Sequence, residues 1–365
     1  MILYLFYSCI LCLFISLVYY IYFFKKLIYY EDEEIFFDEP VSVIICARNE
    51  LDNLQKNLFS FLNQNYSSFE IIIVNDQSID NTNYFLDEQA KKYTNLKIVH
   101  IDKHVKHSIG KKFALTLGIK TANFDNILLS DADCSPVSKD WISSMTKNFS
   151  NKDIILGYGK YKTYPGLLNK LIRFDTFLIA IQYFSFSLNS LTYMGVGRNL
   201  AYKKELFFKN KGFANHLHIP SGDDDLFINE ISSNENVSIN LRNTSFTVSE
   251  PESNYYDWIK QKRRHLTTSK LYKPQIKLLL ALYPLSNIIF WLSIILLFIF
   301  NFSQNILIAI LLIRLLNSYI SNYFLMKKLD VFDLYLIHPL LEFIHLINQF
   351  IFHFFNIISK KNTWN

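Results

Sequence analysis

Read for the spacing of its apolar and polar positions, the chain divides into three kinds of stretch. Residues 2–24 form an uncharged apolar run. At 1.5 Å per residue it is long enough to cross the roughly 30 Å hydrocarbon core of a bilayer. It has no basic start and no small-residue cleavage site, so it reads as an anchor rather than a signal peptide. Lys25 and Lys26 follow at once, which by the positive-inside rule puts the N-terminus outside and the next segment in the cytoplasm. Apolar runs return at 278–300 and 306–325, joined by the polar turn Asn301–Asn305 and closed by Lys327 and Lys328, a hairpin with the same topology. Arg314 sits in the middle of the second run, where a charge is costly; it is either a functional group or faces a neighbouring helix or a watery groove. In 334–358, His338, Glu342, His345, Gln349 and His353 recur at steps of 4, 3, 4 and 4, a polar stripe on one helix face. The stripe reads as a bundle seam or groove, or as part of a helix lying in the interface; metal ligation is a further alternative, and Lys360 and Lys361 argue against a simple further crossing.

The middle block alternates differently. VSVIICA (41–47), EIIIVND (70–76), LKIVHI (96–101) and NILLSDAD (126–133) are short apolar runs of strand length. The stretches 50–63, 80–93 and 110–121 between them read as helices. This βαβ alternation predicts an α/β fold whose mixed, mostly parallel sheet is flanked by helices. The expected division is an N-terminal anchor (1–26), an acidic linker (27–39), a cytosolic domain (40–275), membrane helices (276–358) and a tail (359–365). The run EDEEIFFDE (31–39) within the linker reads as a solvated connection.

Composition supports the membrane reading. Of 365 residues, 50% are hydrophobic, 16% aromatic and only 19% charged, which excludes a disordered or collagen-like chain. The net charge of +5 comes without a dense basic stripe interleaved with aromatics, so nucleic acid is not an expected partner. The four cysteines are Cys9, Cys12, Cys46 and Cys134. Cys9 and Cys12 lie inside the apolar run, where small helix-packing residues are a better reading than a redox or zinc pair. No disulfide framework is suggested.

The candidate chemistry sits where a parallel sheet binds ligands, beyond the carboxyl ends of its strands. Arg48, Asn49 and Glu50 follow the first strand, Asn75 and Asp76 end the second, and Asp131 and Asp133 end the fourth. No GxxxxGK[ST] and no strand-linked GxGxxG occurs, and Gly157–Gly159 and Gly195–Gly197 are too short to make a phosphate cradle, so a nucleotide would be held by carboxylates and a metal. Asp131–Ala132–Asp133 places two hard oxygen ligands at one strand end, suited to Mg²⁺ or Mn²⁺. In Ser221–Asp225 the adjacent acids Asp223, Asp224 and Asp225 repel one another, so one can acquire the raised pKa of a general base; a solvated loop or helix N-cap is the alternative. Trp258-x-x-Gln261-x-x-Arg264 lies in a cationic patch with Lys262, Arg263 and His265, which would attract either anionic lipid or a departing diphosphate.

In this order the motifs resemble family 2 glycosyltransferases of the GT-A fold, in their membrane-anchored, synthase-like branch. PVSVIICARNE (40–50) is similar to the opening strand, VNDQSIDNT (74–82) to VDDGSxDxT, and GKKFALTLGIK (110–120) to the Lys-bearing helix start. SDADC (130–134) resembles the DxD element, GDDD (222–225) the Gly-Glu-Asp element and QKRRH (261–265) Gln-x-x-Arg-Trp, so that the likeness runs over about 40–270.

The resemblance implies an inverting, metal-dependent transfer from a UDP- or GDP-type sugar donor to a glycan or lipid-linked acceptor in cell-envelope synthesis. It also implies a multi-pass protein of the plasma (inner) membrane with a cytosolic catalytic domain. Arg48, Glu50, Asp76, Lys111 and Asp131 would bind donor, Asp133 with Asp131 would hold Mn²⁺ or Mg²⁺, and Asp224 would be the base. Asp223, Gln261, Arg263, Arg264 and His265 would meet acceptor and diphosphate. Two positions depart from the family pattern. Asn75 replaces the first Asp of VDD, and His265 replaces the Trp associated with processive synthesis. The alternative from another class is a non-catalytic membrane subunit that keeps the fold; retention of Asp76, Asp131, Asp133 and Asp224 speaks against it. A transporter component and a nucleotidyl transferase fit the motifs less well.

Overall fold

The computed structural model describes residues 1–33, 35–102, 110–219 and 221–358; Glu34, the predicted tail 359–365 and the side chain of His353 lie outside the described residues. The strands are β1 (Val41–Ala47), β2 (Phe69–Asp76), β3 (Leu96–Ile101), β4 (Asn126–Asp131), β5 (Cys134–Pro136), β6 (Ile154–Leu156), β7 (Gly159–Tyr161), β8 (Leu200–Lys203), β9 (Val237–Ile239) and β10 (Thr247–Ser249). Seven form one sheet in the order β3-β2-β1-β4-β8-β6-β9, and β5-β10-β7 form a small second sheet. β1 to β4 run parallel; β8 enters antiparallel to both β4 and β6.

The sheet is buried on both faces, which explains why β1 and β2 read as continuous apolar runs. Ile44, Ile72 and Val74 pack on one side with Ala114, Leu115 and Ile119, while Val43, Ile45, Ile71 and Ile73 pack on the other with Leu54, Leu58, Phe61 and Trp141. Helix Lys111–Thr121 lies close on the first face because Gly118 has no side chain; a Cβ there would stand 2.6 Å from Ile44 Cγ2.

β4 ends at Asp131, two residues short of the predicted strand. The chain turns at Ala132, whose carbonyl accepts a hydrogen bond from Asn57 Nδ2 at 3.1 Å instead of joining the ladder, and then enters β5. The acidic run after the anchor is not simply solvated. Asp32 accepts from the Leu241 backbone N–H at 3.2 Å and lies 3.9 Å from Lys147 Nζ.

Among the described residues, four helices are long and apolar enough to cross a membrane: Ile2–Ile28, Pro274–Ile299, Gln304–Lys328 and Phe332–Phe352. Cys9, Cys12 and Leu13 pack with Phe290, Ile294, Leu297, Leu307 and Ile310, so the two cysteines serve as small packing residues. Arg314 faces its neighbours. It donates to Ser16 Oγ and Glu342 Oε1, each at 2.8 Å, beneath the Phe290 ring.

The polar stripe of His338–Ile358 is a seam. His338 pairs with Ser318 Oγ at 3.0 Å, Glu342 with Arg314, and His345 lies 3.5 Å from Asp175 on helix Leu167–Ser187. Tyr255 Oη donates to Asn348 Oδ1 at 2.6 Å.

Candidate active site

The ends of β1, β2 and β4, the start of helix Lys111–Thr121 and the turn before helix Asp225–Ile231 converge on one cleft. β4 stops as its apolar run gives way to Asp131, and Gly110 (φ 59°) turns the chain into the helix so that Lys111 meets that strand end. Lys111 Nζ donates to Asp131 Oδ1 at 2.5 Å and lies 3.5 Å from Asp223 Oδ2. Burial alone would lower the Lys111 pKa, but the charges of Asp131 and Asp223 outweigh it and raise it well above the usual value.

The acids are electrostatically distinct. Burial pushes Asp131 up, but the Lys111 ammonium more than reverses this and holds it below the usual carboxylate range. Asp133 is raised by burial and by the charge of Asp131. Asp224 is raised to about 7, by burial first and then by Asp223 and Asp225, with Lys111 and the Gly197 N–H opposing. Its Oδ1 accepts from the Asp225 N–H and its Oδ2 from the Gly197 N–H, each at 2.8 Å. Asp225 faces away from this chemistry. Its Oδ2 accepts from Tyr272 Oη at 2.7 Å and from Thr268 Oγ1, a structural anchor.

The remaining predicted residues are distributed around this centre. Asp76 is buried at the end of β2, 1% exposed. Asn75, at the departure from the family pattern, is a scaffold: its Oδ1 accepts from Ser78 Oγ at 2.5 Å, and its Nδ2 meets His100 Nδ1 at 3.1 Å and also Asn83 Oδ1. Glu50 stands just before helix Leu51–Leu62 and accepts from Asn53 Nδ2 at 2.6 Å; burial, then the charges of Asp133 and Asp131, raise its pKa, which places it beside the DxD pair. Arg48 is exposed on that turn. On helix Tyr255–Leu266, Arg264 and His265 are exposed and Arg263 is half-buried, while Gln261 donates to Glu252 Oε1 at 3.2 Å. Arg264 is near enough that its charge helps hold Asp131 down.

Sequence reasoning missed Arg198 and also Glu252, which feels the charges of Asp133 and Arg264. The Arg198 guanidinium stacks 4.5 Å from the Tyr161 ring centroid, and its charge favours ionisation of both Asp131 and Asp133. The signal is Arg198–Asn199 directly after Gly195–Val196–Gly197, a glycine pair too short for a phosphate cradle. Gly197 instead gives a backbone N–H to Asp224. Asn199, buried and bonded to Tyr158 O, Ser245 O and Trp141 Nε1 at 2.9, 2.8 and 3.1 Å, fixes that turn.

Asp131, Asp133 and Cys134 offer ligand atoms within 4.8 Å of one another. The Cys134 thiol is pushed well above its usual pKa by burial and pairs with Ser249 Oγ at 2.9 Å, so it is no thiolate ligand. The two carboxylates suit a hard divalent cation, and the repulsion that raises Asp133 is what such a cation would relieve.

Comparison with known proteins agrees with this geometry. Residues 42–209 match the family model for glycosyl transferase family 2. The chain is 31% identical over 140 residues to glycosyltransferase AglE of Haloferax volcanii, covering 38% of this chain and 44% of that one. It is 30% identical over 158 residues to a poly-beta-1,6-N-acetyl-D-glucosamine synthase of Staphylococcus aureus, covering 39% of this chain and 37% of that one. The match thus spans less than half the length of these relatives. In fold, the chain superposes on a mannosyltransferase, PcManGT from Pyrobaculum calidifontis in complex with GDP-Man and Mn²⁺, with a TM-score of 0.65 at 15% identity, over 99% of this chain and 100% of that one. The sheet, the strand-end acids and the match over 42–209 lead to one conclusion: residues 42–209 resemble glycosyl transferase family 2, on a GT-A fold in a chain whose described residues include four helices long and apolar enough to cross a membrane.

Proposed function

We propose that the protein is an inverting glycosyltransferase that moves a sugar from a UDP- or GDP-type donor to a membrane-proximal or lipid-linked acceptor in cell-envelope synthesis. The observation that carries this reading is the joining of Asp131, Asp133, Lys111, Asp223 and Asp224 in one cleft, with the pKa of Asp224 raised to about 7. The Mn²⁺ and GDP-Man of the mannosyltransferase of similar fold support the cofactor and donor class.

Asp76, Arg48 and Glu50 would line the nucleotide side, since they sit at the ends of β1 and β2. Asp133, with Asp131, would hold Mn²⁺ or Mg²⁺ against the diphosphate; bound there, the cation would neutralise the charge growing on the leaving group. Lys111 keeps Asp131 ionised. Asp224 takes the proton of an acceptor hydroxyl as its oxygen forms a bond to the anomeric carbon. The bond from that carbon to the diphosphate oxygen breaks, the nucleoside diphosphate leaves with the electron pair, and the configuration inverts. Arg263, Arg264, His265 and Gln261 would border the acceptor and diphosphate side, and Asp223, 3.5 Å from Lys111 Nζ, would stand there with them. The basic residues beside the apolar helices support a placement in the plasma membrane, with this domain on the cytosolic side and lipid as neighbour.

Asp224→Asn tests the reading. Transfer falls at least about a hundredfold, as expected for loss of a general base, while binding of the donor nucleotide in Mn²⁺ stays within twofold. Full transfer by the variant removes Asp224 from the mechanism.

A further inference from the structure

Lys112, next to the lysine that pairs with the acids, has no place in the mechanism above, yet it is among the most buried charged groups in the protein at 0% exposed. Its ammonium donates to His216 Nδ1 at 2.7 Å, to His216 O at 2.6 Å and to Ile219 O at 3.1 Å. An ammonium has three protons and no acceptor, so these partners satisfy it and require Nδ1 of His216 to carry the lone pair. The His216 Nε2 side then faces Glu230, 3.7 Å away on helix Asp225–Ile231. Glu230 is itself held by Asn210 Nδ2 at 2.8 Å. The contacts therefore bracket Gly222–Asp225, reaching residue 219 before it and residue 230 after it.

We propose that Lys112 is a positioning residue, a buried clamp that fixes where Asp223 and Asp224 stand relative to Lys111 and Asp131. This proposal rests on the assignment of Asp224 as base. Helix Lys111–Thr121 starts with two adjacent lysines whose side chains leave in different directions. Lys111 holds the acids directly, and Lys112 holds the backbone that presents two of them. Burial pushes the Lys112 pKa down to about 8, with Asp223, Asp225, Glu230 and Asp224 opposing, so at neutral pH the group keeps the full set of donors that the clamp uses. Gly222, at φ 95°, gives the turn a conformation that favours glycine, and a tether to the preceding carbonyls restricts what such a turn can sample.

Hydrogen exchange on the full chain in detergent tests the clamp without any substrate. In Lys112→Met, which keeps the stem and removes the donors, amides of 214–219 and 222–226 exchange at least about tenfold faster while those of β1 and β2 are unchanged. His216→Ala, which removes one acceptor and leaves the helix intact, gives the same local pattern to a smaller degree. With whichever UDP- or GDP-sugar turns over, Lys112→Met loses at least about tenfold in kcat while donor KM stays within twofold. Wild-type exchange and kcat in a folded Lys112→Met or His216→Ala overturn the clamp, and so does faster exchange spread evenly over the sheet in both variants. Asp224→Asn, measured beside them, separates the two claims. If it transfers normally the base assignment fails; if it is inactive while Lys112→Met behaves as wild type, only the clamp fails.

Discussion

Asp224 is buried among other acids with the Lys111 ammonium opposing them, and that balance sets when it can accept a proton. With its pKa raised to about 7, it is protonated below neutrality, so kcat should fall about tenfold per pH unit on the acid side of 7. The same shift acts on stability in the opposite sense. The folded chain binds this proton more tightly than the unfolded one, so stability falls as pH rises from the usual carboxylate value to about 7. Lys111 lowers the Asp224 pKa, so in Lys111→Met the acid limb of the pH–rate profile should move to higher pH. An unmoved limb would separate Lys111 from the base. These pairings were only partly legible in the sequence. The DxD and GDDD elements announced themselves as adjacent acids. Arg198, Glu252 and the Gly197 N–H did not, because each reaches the cleft from a segment with no periodic signal.

At the scale of elements, the first four strands and three intervening helices are where the alternation of apolar and polar runs puts them, because each strand is long enough to show its pattern. β5 to β10 are three or four residues long, shorter than any period can reveal, and the helix Leu167–Ser187 reads only as apolar sequence. The helix His338–Ile358 was legible as two faces. Its polar face packs inward on Asp175, Arg314 and Ser318, while Leu336 in the turn before it and Leu340, Phe343, Ile347 and Phe350 along it are exposed, an arrangement that suits lipid on the outside. The Arg314–Glu342 pair is the polar centre of this seam, 3% and 8% exposed. Removing one partner leaves a buried charge, so Arg314→Leu should cost about 3–5 kcal/mol. The double variant Arg314→Leu with Glu342→Leu should recover most of it, as read by thermal unfolding in detergent. A loss in the double variant equal to the sum of the losses in Arg314→Leu and Glu342→Leu alone would show that the pair carries no coupling.

At the scale of the molecule, the sheet and the apolar helices are tied together by charge. Lys328 Nζ donates to the carbonyls of Leu27, Ile28 and Tyr30 at 3.0, 2.9 and 2.5 Å, closing the end of the first helix with the end of the third. Arg173 forks onto Asp333 at 2.7 and 2.5 Å, and Lys262, beside Gln261 and Arg264, pairs with Asp175. The helix bearing the predicted acceptor residues is therefore fastened to helix Leu167–Ser187 and, through Tyr255 and Asn348, to an apolar helix long enough to cross a membrane. Those ties join residues far apart in sequence, so no local pattern could have announced them. The most direct test of the whole account is a screen of UDP- and GDP-sugars for Mn²⁺-dependent turnover by membranes carrying the wild-type chain, Asp133→Ala or Asp224→Asn. The account predicts turnover of at least one sugar by the wild type, its loss on chelation, and its loss in both variants. Turnover that persists without a divalent cation, or unchanged in Asp133→Ala, would contradict it.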